Sequence, residues 1–296
     1  MSKLRKILGK LAFTGSARRR QAEEGLRAGI LAYYAAARPE EVSEELRAAA
    51  GYLKSRPLTF FPSAFTEKYK AGGVEVFSDP ANKLKYVLSG GRRLYFKRKS
   101  SAAAIKRNFT NLLMEQDLHS PHRYLAEGFA VDDGDVLADI GAAEGNFTLS
   151  VIEKIAKAFL FETDPEWVEA LTATFAPWKG KVEIVNRYVS DTPGGGNVTL
   201  DGFFAGGKLD FVKVDAEGAE EKVLKGADRL LSRGAALKVA LCAYHRQDDE
   251  EKLSALLRLK NFELSVSEGY MLYPPDSGQK PPYFRRGLIR ARSTRQ

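Results

Sequence analysis

The segment Phe211-Val-Lys-Val-Asp215-Ala-Glu217-Gly-Ala-Glu220 sets three carboxylates within six residues behind a short apolar run, and Cys242-Ala-Tyr-His245-Arg246 sets a histidine behind another. Carboxylates that close repel one another unless their tasks differ. Acids at a helix start are stabilised by the dipole by about 0.3 to 1 kcal/mol each, which suits Glu220 and Glu217. Asp215, at the tip of the run, is placed to point into a cleft beside a cationic centre or a divalent metal. A hydroxyl is a poor nucleophile until its proton is accepted, and a histidine held by a carboxylate titrates near working pH. His245, Asp215 and Glu217 are the candidate catalytic set: His245 is the proton acceptor, and Asp215 its orienting partner or a metal ligand. The competing account is a structural histidine.

A second constellation is Val136-Leu-Ala-Asp139-Ile-Gly141-Ala142-Ala-Glu144-Gly145-Asn146-Phe147-Thr148. An apolar run followed by two glycines and a helix start reads as a buried strand turning tightly into a helix. Glycines there let a ligand approach the backbone closely. The Gly-x-x-x-Gly spacing is not the Gly-x-Gly-x-x-Gly of dinucleotide binding, which disfavours a nicotinamide-dependent oxidoreductase. Glu162 ends the next apolar run, 21 residues after Gly141, where an acid can accept both hydroxyls of a ribose. The predicted ligand is an adenosine-containing cofactor held by Asp139, Gly141, Ala142, Glu144, Gly145, Asn146, Phe147, Glu162, Thr163, Tyr188 and Asp215. Tyr188 follows the third strand, where an adenine would lie.

These segments, with Val223-Leu-Lys-Gly-Ala227, resemble the FkbM family of S-adenosylmethionine-dependent methyltransferases over residues 115–292. The chain departs at Ala143-Glu144, where the family commonly has asparagine and an apolar residue. The resemblance implies a class I methyltransferase (Rossmann-like) fold with an antiparallel last strand, S-adenosyl-L-methionine as cofactor, and O-methylation of a sugar hydroxyl on a glycan, polysaccharide or glycan precursor. Related sugar enzymes use magnesium, so a divalent metal (Mg) stays open. The polar connector at residues 115–124 is similar to those of family members from polysaccharide gene clusters. That similarity favours a connector folded over the site mouth rather than one whose histidines only cap a loop. It puts His122 and Tyr124 beside Arg246 as substrate contacts.

Positioning these residues requires an α/β architecture. Strands at 136–140, 158–162, 182–186, 209–214 and 237–244 alternate with helices at 165–175, 219–231 and 249–260, which predicts a mostly parallel sheet with helices on both faces. Residues 262–266 and 286–291 read as a closing hairpin. Ahead of them lies a small α+β cap: helices from 18 and over 39–53, then strands at 74–77, 85–88 and 93–97, the last two joined by Ser89-Gly90-Gly91. The expected division is residues 1–110 for the cap and 111–296 for the cofactor domain.

Composition bounds the rest. At 44% hydrophobic and 28% charged, the 296 residues can bury a sizeable core, and the single cysteine, Cys242, excludes an internal disulfide framework, favouring a cytoplasmic setting. Residues 1–110 hold 23 Lys+Arg against 9 Asp+Glu, the remainder 23 against 29. A basic N-terminal region with aromatics raises the alternative of a nucleic-acid-binding or -modifying protein, although no module signature supports it. No run approaches the roughly 18 apolar residues of a spanning helix. Leu4, Ile7, Leu8 and Leu11 would form one stripe of a helix at residues 2–13, flanked by Lys3, Arg5, Lys6 and Lys10. Residues 1–20 could thus meet an anionic membrane face, a lipid- or nucleotide-linked substrate, the cap, or a second subunit in a homo-oligomer.

Overall fold

The computed structural model describes residues 17–233, 236–273 and 279–294; the stripe at residues 2–13 lies outside them. Three short strands form the cap sheet: β1 (Phe77–Ser78), β2 (Lys85–Ser89) and β3 (Arg92–Tyr95), all antiparallel. Gly90 and Gly91 turn β2 into β3 with φ of 55° and 78°, the left-handed pair that a two-residue hairpin needs. The first expected cap strand shrinks to β1.

The remaining strands are β4 (Val136–Ile140), β5 (Lys157–Phe161), β6 (Val182–Val185), β7 (Tyr188–Val189), β8 (Asn197–Val198), β9 (Phe211–Val214), β10 (Lys238–Cys242), β11 (Phe262–Val266), β12 (Met271–Leu272), β13 (Phe284–Arg285) and β14 (Leu288–Ser293). Seven of them make one sheet in the order β11-β14-β10-β9-β4-β5-β6. From β6 to β10 the pairs are parallel, and β14 enters antiparallel between β10 and β11. All four residues of β9 and four of five in β4 and β10 are buried, the continuous burial of parallel strands covered on both faces. This is the class I methyltransferase architecture expected above.

The helix expected over 219–231 is two, Glu220–Lys225 and Asp228–Ser232. The backbone of Gly226 lies against Ser190, whose carbonyl oxygen would be 2.0 Å from a Cβ there. The second helix starts where the Asp201 carboxylate accepts the amides of Arg229 (2.9 Å) and Leu230 (2.8 Å). Such a break depends on remote residues that local periodicity does not register.

Residue 110 lies inside the helix Ala102–Glu115, and one apolar cluster joins Phe60, Leu84 and Phe96 of the cap to Ile152, Trp167 and Tyr244 of the sheet layer. The N-terminal basic excess is spent partly at this junction: Lys97 meets Asp164 (2.6 Å), Arg98 meets Glu169 (2.5 Å), Arg92 meets Glu153 (3.0 Å) and Lys99 meets Glu166 (3.3 Å). No described helix is long and apolar enough to cross a membrane.

Candidate functional site

A cleft of about 800 Å3, counting its open mouth, runs along the carboxyl ends of β4, β5, β6 and β9 and is lined by Gly141, Glu162, Thr163, Tyr188, Asp215 and Glu217 among others. In open α/β sheets this is where ligands bind. Glu162 stands at the tip of β5. Its Oε2 accepts the Ala143 amide (3.0 Å) and its Oε1 those of Thr163 (2.7 Å) and Asp164 (2.8 Å), so three backbone donors aim the carboxylate. Tyr188 lines the far end, 63% exposed.

The glycines answer first to the protein. Gly141 and Gly145 have φ of 72° and 73°. A Cβ on Gly141 would meet the Asp215 carbonyl oxygen at 2.0 Å, and one on Gly145 would meet Leu171 and Phe175 at 2.7 Å. Ligand access was expected to demand glycine here; backbone conformation and packing already do.

Behind this turn, Asp139 and Lys213 are register partners on β4 and β9 and form a buried ion pair at 2.9 Å. Thr148 donates to Asp139 (2.8 Å), and Lys213 donates to the Gly141 carbonyl (2.8 Å). Burial would lower the lysine pKa, but Asp139 and Asp215 hold it above the ordinary value. Asp139 thus braces the turn from behind. Ala142, Glu144, Asn146 and Phe147 also do not line the cleft; Ala142, Glu144 and Phe147 are buried beneath it.

Asp215 and His245, expected as sheet neighbours, end adjacent parallel strands, with His245 Nε2 3.6 Å from Asp215 Oδ1. His245 Nε2 is 4.0 Å from Glu217, and its Nδ1 is 2.9 Å from Glu220. Burial pulls the imidazole pKa down, but Glu220, Asp215 and Glu217 outweigh it and raise it to about 9. His245 is therefore a cation at neutral pH, not the proton acceptor expected from the sequence. An acid neighbour tunes a histidine toward neutrality, whereas three carboxylates carry it past.

The connector also departs from expectation. His122 is 1% and Tyr124 3% exposed. Both lie beneath Asp215 instead of forming an open substrate surface: Tyr124 donates to Asp215 Oδ2 (3.2 Å), Tyr244 to Asp215 Oδ1 (3.3 Å), and His122 Nε2 is 3.2 Å from the Tyr244 hydroxyl. Arg246 donates to the Gly218 carbonyl (2.6 Å), holding the turn that carries Glu217.

The sequence reading missed Lys213, Tyr244, Arg187 and Arg285. A lysine inside the buried run Phe211–Val214 was a legible signal. Arg187 lines the cleft beside Tyr188, and Arg285 donates to the Tyr244 (2.9 Å) and His245 (3.0 Å) carbonyls from a distant strand, which no local pattern marks.

Donor atoms of Asp215, Glu217 and His245 lie within 4.8 Å of one another. With Nδ1 turned to Glu220, the Nε2 of His245 faces the two acids.

Fold and cleft together have the class I methyltransferase architecture. Residues 140–264 match the family model described as the Methyltransferase FkbM domain, so the likeness read from the sequence holds over that segment. Among solved structures, methyltransferase FkbM of Methylobacillus flagellatus KT is 16% identical with a TM-score of 0.44, over 64% of this chain and 53% of its own. The match thus spans about half of that relative. Precorrin-6y C5,15-methyltransferase of Geobacter metallireducens GS-15 is 15% identical (TM-score 0.36; 56% of this chain, 82% of its own). A putative tRNA (m1A22) methyltransferase of Streptococcus pneumoniae is also 15% identical (TM-score 0.38; 56% and 67%). No curated protein matches the chain.

Proposed function

We propose that the protein transfers the methyl group of S-adenosylmethionine to a sugar hydroxyl of a glycan or glycan precursor, carried on a lipid or nucleotide. The observation that carries this reading is the order of groups along the cleft: Tyr188 after β6 for the adenine, Glu162 at β5 for the ribose, and Asp215 with Glu217 beyond the glycine turn for the reacting end. Methyl transfer to oxygen needs alignment of nucleophile, methyl and sulfur more than covalent help, so rigid placement dominates. The bound cofactor supplies the electrophilic methyl group. Asp215, fixed by two phenols and facing the cleft, orients the acceptor hydroxyl and takes its proton. His245, its pKa raised by these acids, is their partner at the base of the site.

Methyl-labelled S-adenosylmethionine incubated with free, nucleotide-linked and lipid-linked sugars tests the reading. Label should appear on a hydroxyl oxygen, and Asp215→Asn should lower turnover by about 10² to 10⁴. Label in RNA, or in no sugar, overturns it. Turnover rising with a midpoint near pH 9 would return the base role to His245.

A further inference from the structure

Lys213 is buried in β9, its side chain 4% exposed, and Asp215 follows two residues on and so shares its face of the strand. The ammonium touches both sides of the site. Toward the cofactor turn it donates to the Gly141 carbonyl (2.8 Å) and lies 3.4 Å from that of Ile140, the same oxygen that accepts the Asp215 amide (3.0 Å). Toward the reacting end it stands 5.5 Å from the centre of the Tyr124 ring, whose hydroxyl donates to Asp215 Oδ2 (3.2 Å). Burial pulls the lysine pKa down, and Asp139 and then Asp215 carry it above the ordinary value, so Lys213 and Asp215 attract one another. A buried ion pair by itself repays its desolvation poorly, and two apolar side chains at these positions would serve the sheet as well. A lysine that reaches from the turn to Asp215 has a use that an apolar pair lacks.

We propose that Lys213 is a positioning residue for the transfer, a single buried ammonium that keeps the Gly141 turn and Asp215 in one fixed relation. The inference rests on the role given to Asp215 above. The turn side works through the backbone: with its carbonyl held by the ammonium, the Gly141 peptide keeps one orientation and the turn its shape. The acid side works through Tyr124. A cation within about 6 Å of an aromatic centre is attracted to the ring, and the Phe147 ring, centred 5.1 Å away, packs on Tyr124 as well. The phenol that holds Asp215 is thus itself held. Lys213 does not line the cleft and keeps its proton throughout, while the acceptor proton passes to Asp215. What it protects is alignment, where a slip of about 1 Å costs about 10²-fold in rate.

Lys213→Met combined with Asp139→Leu tests this, because removing both partners strands no charge; circular dichroism and thermal melting establish that the paired variant is folded. In it, kcat on a sugar labelled by wild type should fall about 10²-fold with the acceptor KM within about twofold. Calorimetry should show S-adenosylhomocysteine bound about three- to tenfold more weakly. Made on Asp215→Asn, the same swap should lower kcat by only about threefold or less, since a residue that acts through Asp215 has nothing left there to position. Tyr124→Phe leaves the ion pair and the backbone contacts in place, and it decides the matter if the paired variant does not fold. Its kcat should fall about tenfold with product affinity unchanged, and Asp215→Asn should again absorb the loss. Wild-type kcat in either folded variant, or a loss that multiplies in full on Asp215→Asn, overturns the proposal and leaves Lys213 a brace of the sheet alone. A wild type that binds S-adenosylhomocysteine but labels no sugar overturns the sugar reading instead. Unchanged product affinity in the folded paired variant would then overturn the Lys213 proposal too, and weakened affinity would support it.

Discussion

His245 shows how far a residue's chemistry depends on its neighbours. Its pKa is raised in the folded state from 6.5 to about 9 because Glu220, Asp215 and Glu217 overcome burial. A group raised on folding contributes stability that is fully present below its unfolded pKa and lost as pH rises through its folded one. The protein should thus lose thermal stability between about pH 6.5 and 9, and His245→Gln, which cannot titrate there, should flatten that part of the profile. Thermal melts across this range check the point, and an unchanged slope in the variant would assign the loss to other groups.

Between elements, the contact of the β4 turn with the end of β9 ties the cofactor loop to the carboxylates. Gly141→Ala places a Cβ 2.0 Å from the Asp215 carbonyl oxygen at a φ of 72°. Left-handed strain and overpacking together should cost about 2 to 4 kcal/mol. Gly195→Ala, at φ 60° with nothing within 4 Å, carries only the strain and should cost about 1 kcal/mol. Urea unfolding of the two variants separates contact from conformation; equal losses would mean that the turn does not bear on β9.

At the scale of the whole molecule, the cap is held by apolar burial and by one ion pair that matters more than the rest. Lys97 and Asp164 have side chains 8% and 16% exposed, whereas Arg98 and Glu169 are 46% and 42% exposed. Exposed pairs contribute about 0 to 1 kcal/mol, but removing one partner of a largely buried pair strands the other. Lys97→Met should cost about 2 to 4 kcal/mol in urea unfolding, still as one transition because the core crosses the junction. A loss no larger than that of Arg98→Met would remove the special weight of the Lys97 pair, and two separate transitions would show that the cap folds by itself. The same pairing bears on the nucleic-acid alternative: part of the positive charge counted along the N-terminal region already faces acids of its own sheet layer.

The order of strands and helices, the glycine turn, Glu162 at the tip of its strand and the meeting of Asp215 with His245 were legible in the sequence by itself, because local periodicity and the topology of parallel sheets fix which strand ends share a cleft. The helix break at Gly226, the burial of His122 and Tyr124, and the charge on His245 were not. Each is set by groups far away in the chain: Ser190 beside Gly226, Tyr244 beside His122, Asp215 bonded to Tyr124, and Glu217 and Glu220 around the imidazole. Hydrogen bonding and Coulomb interaction act through space between groups that folding brings together, so residue spacing along the chain names the participants while only the tertiary structure decides their protonation and direction.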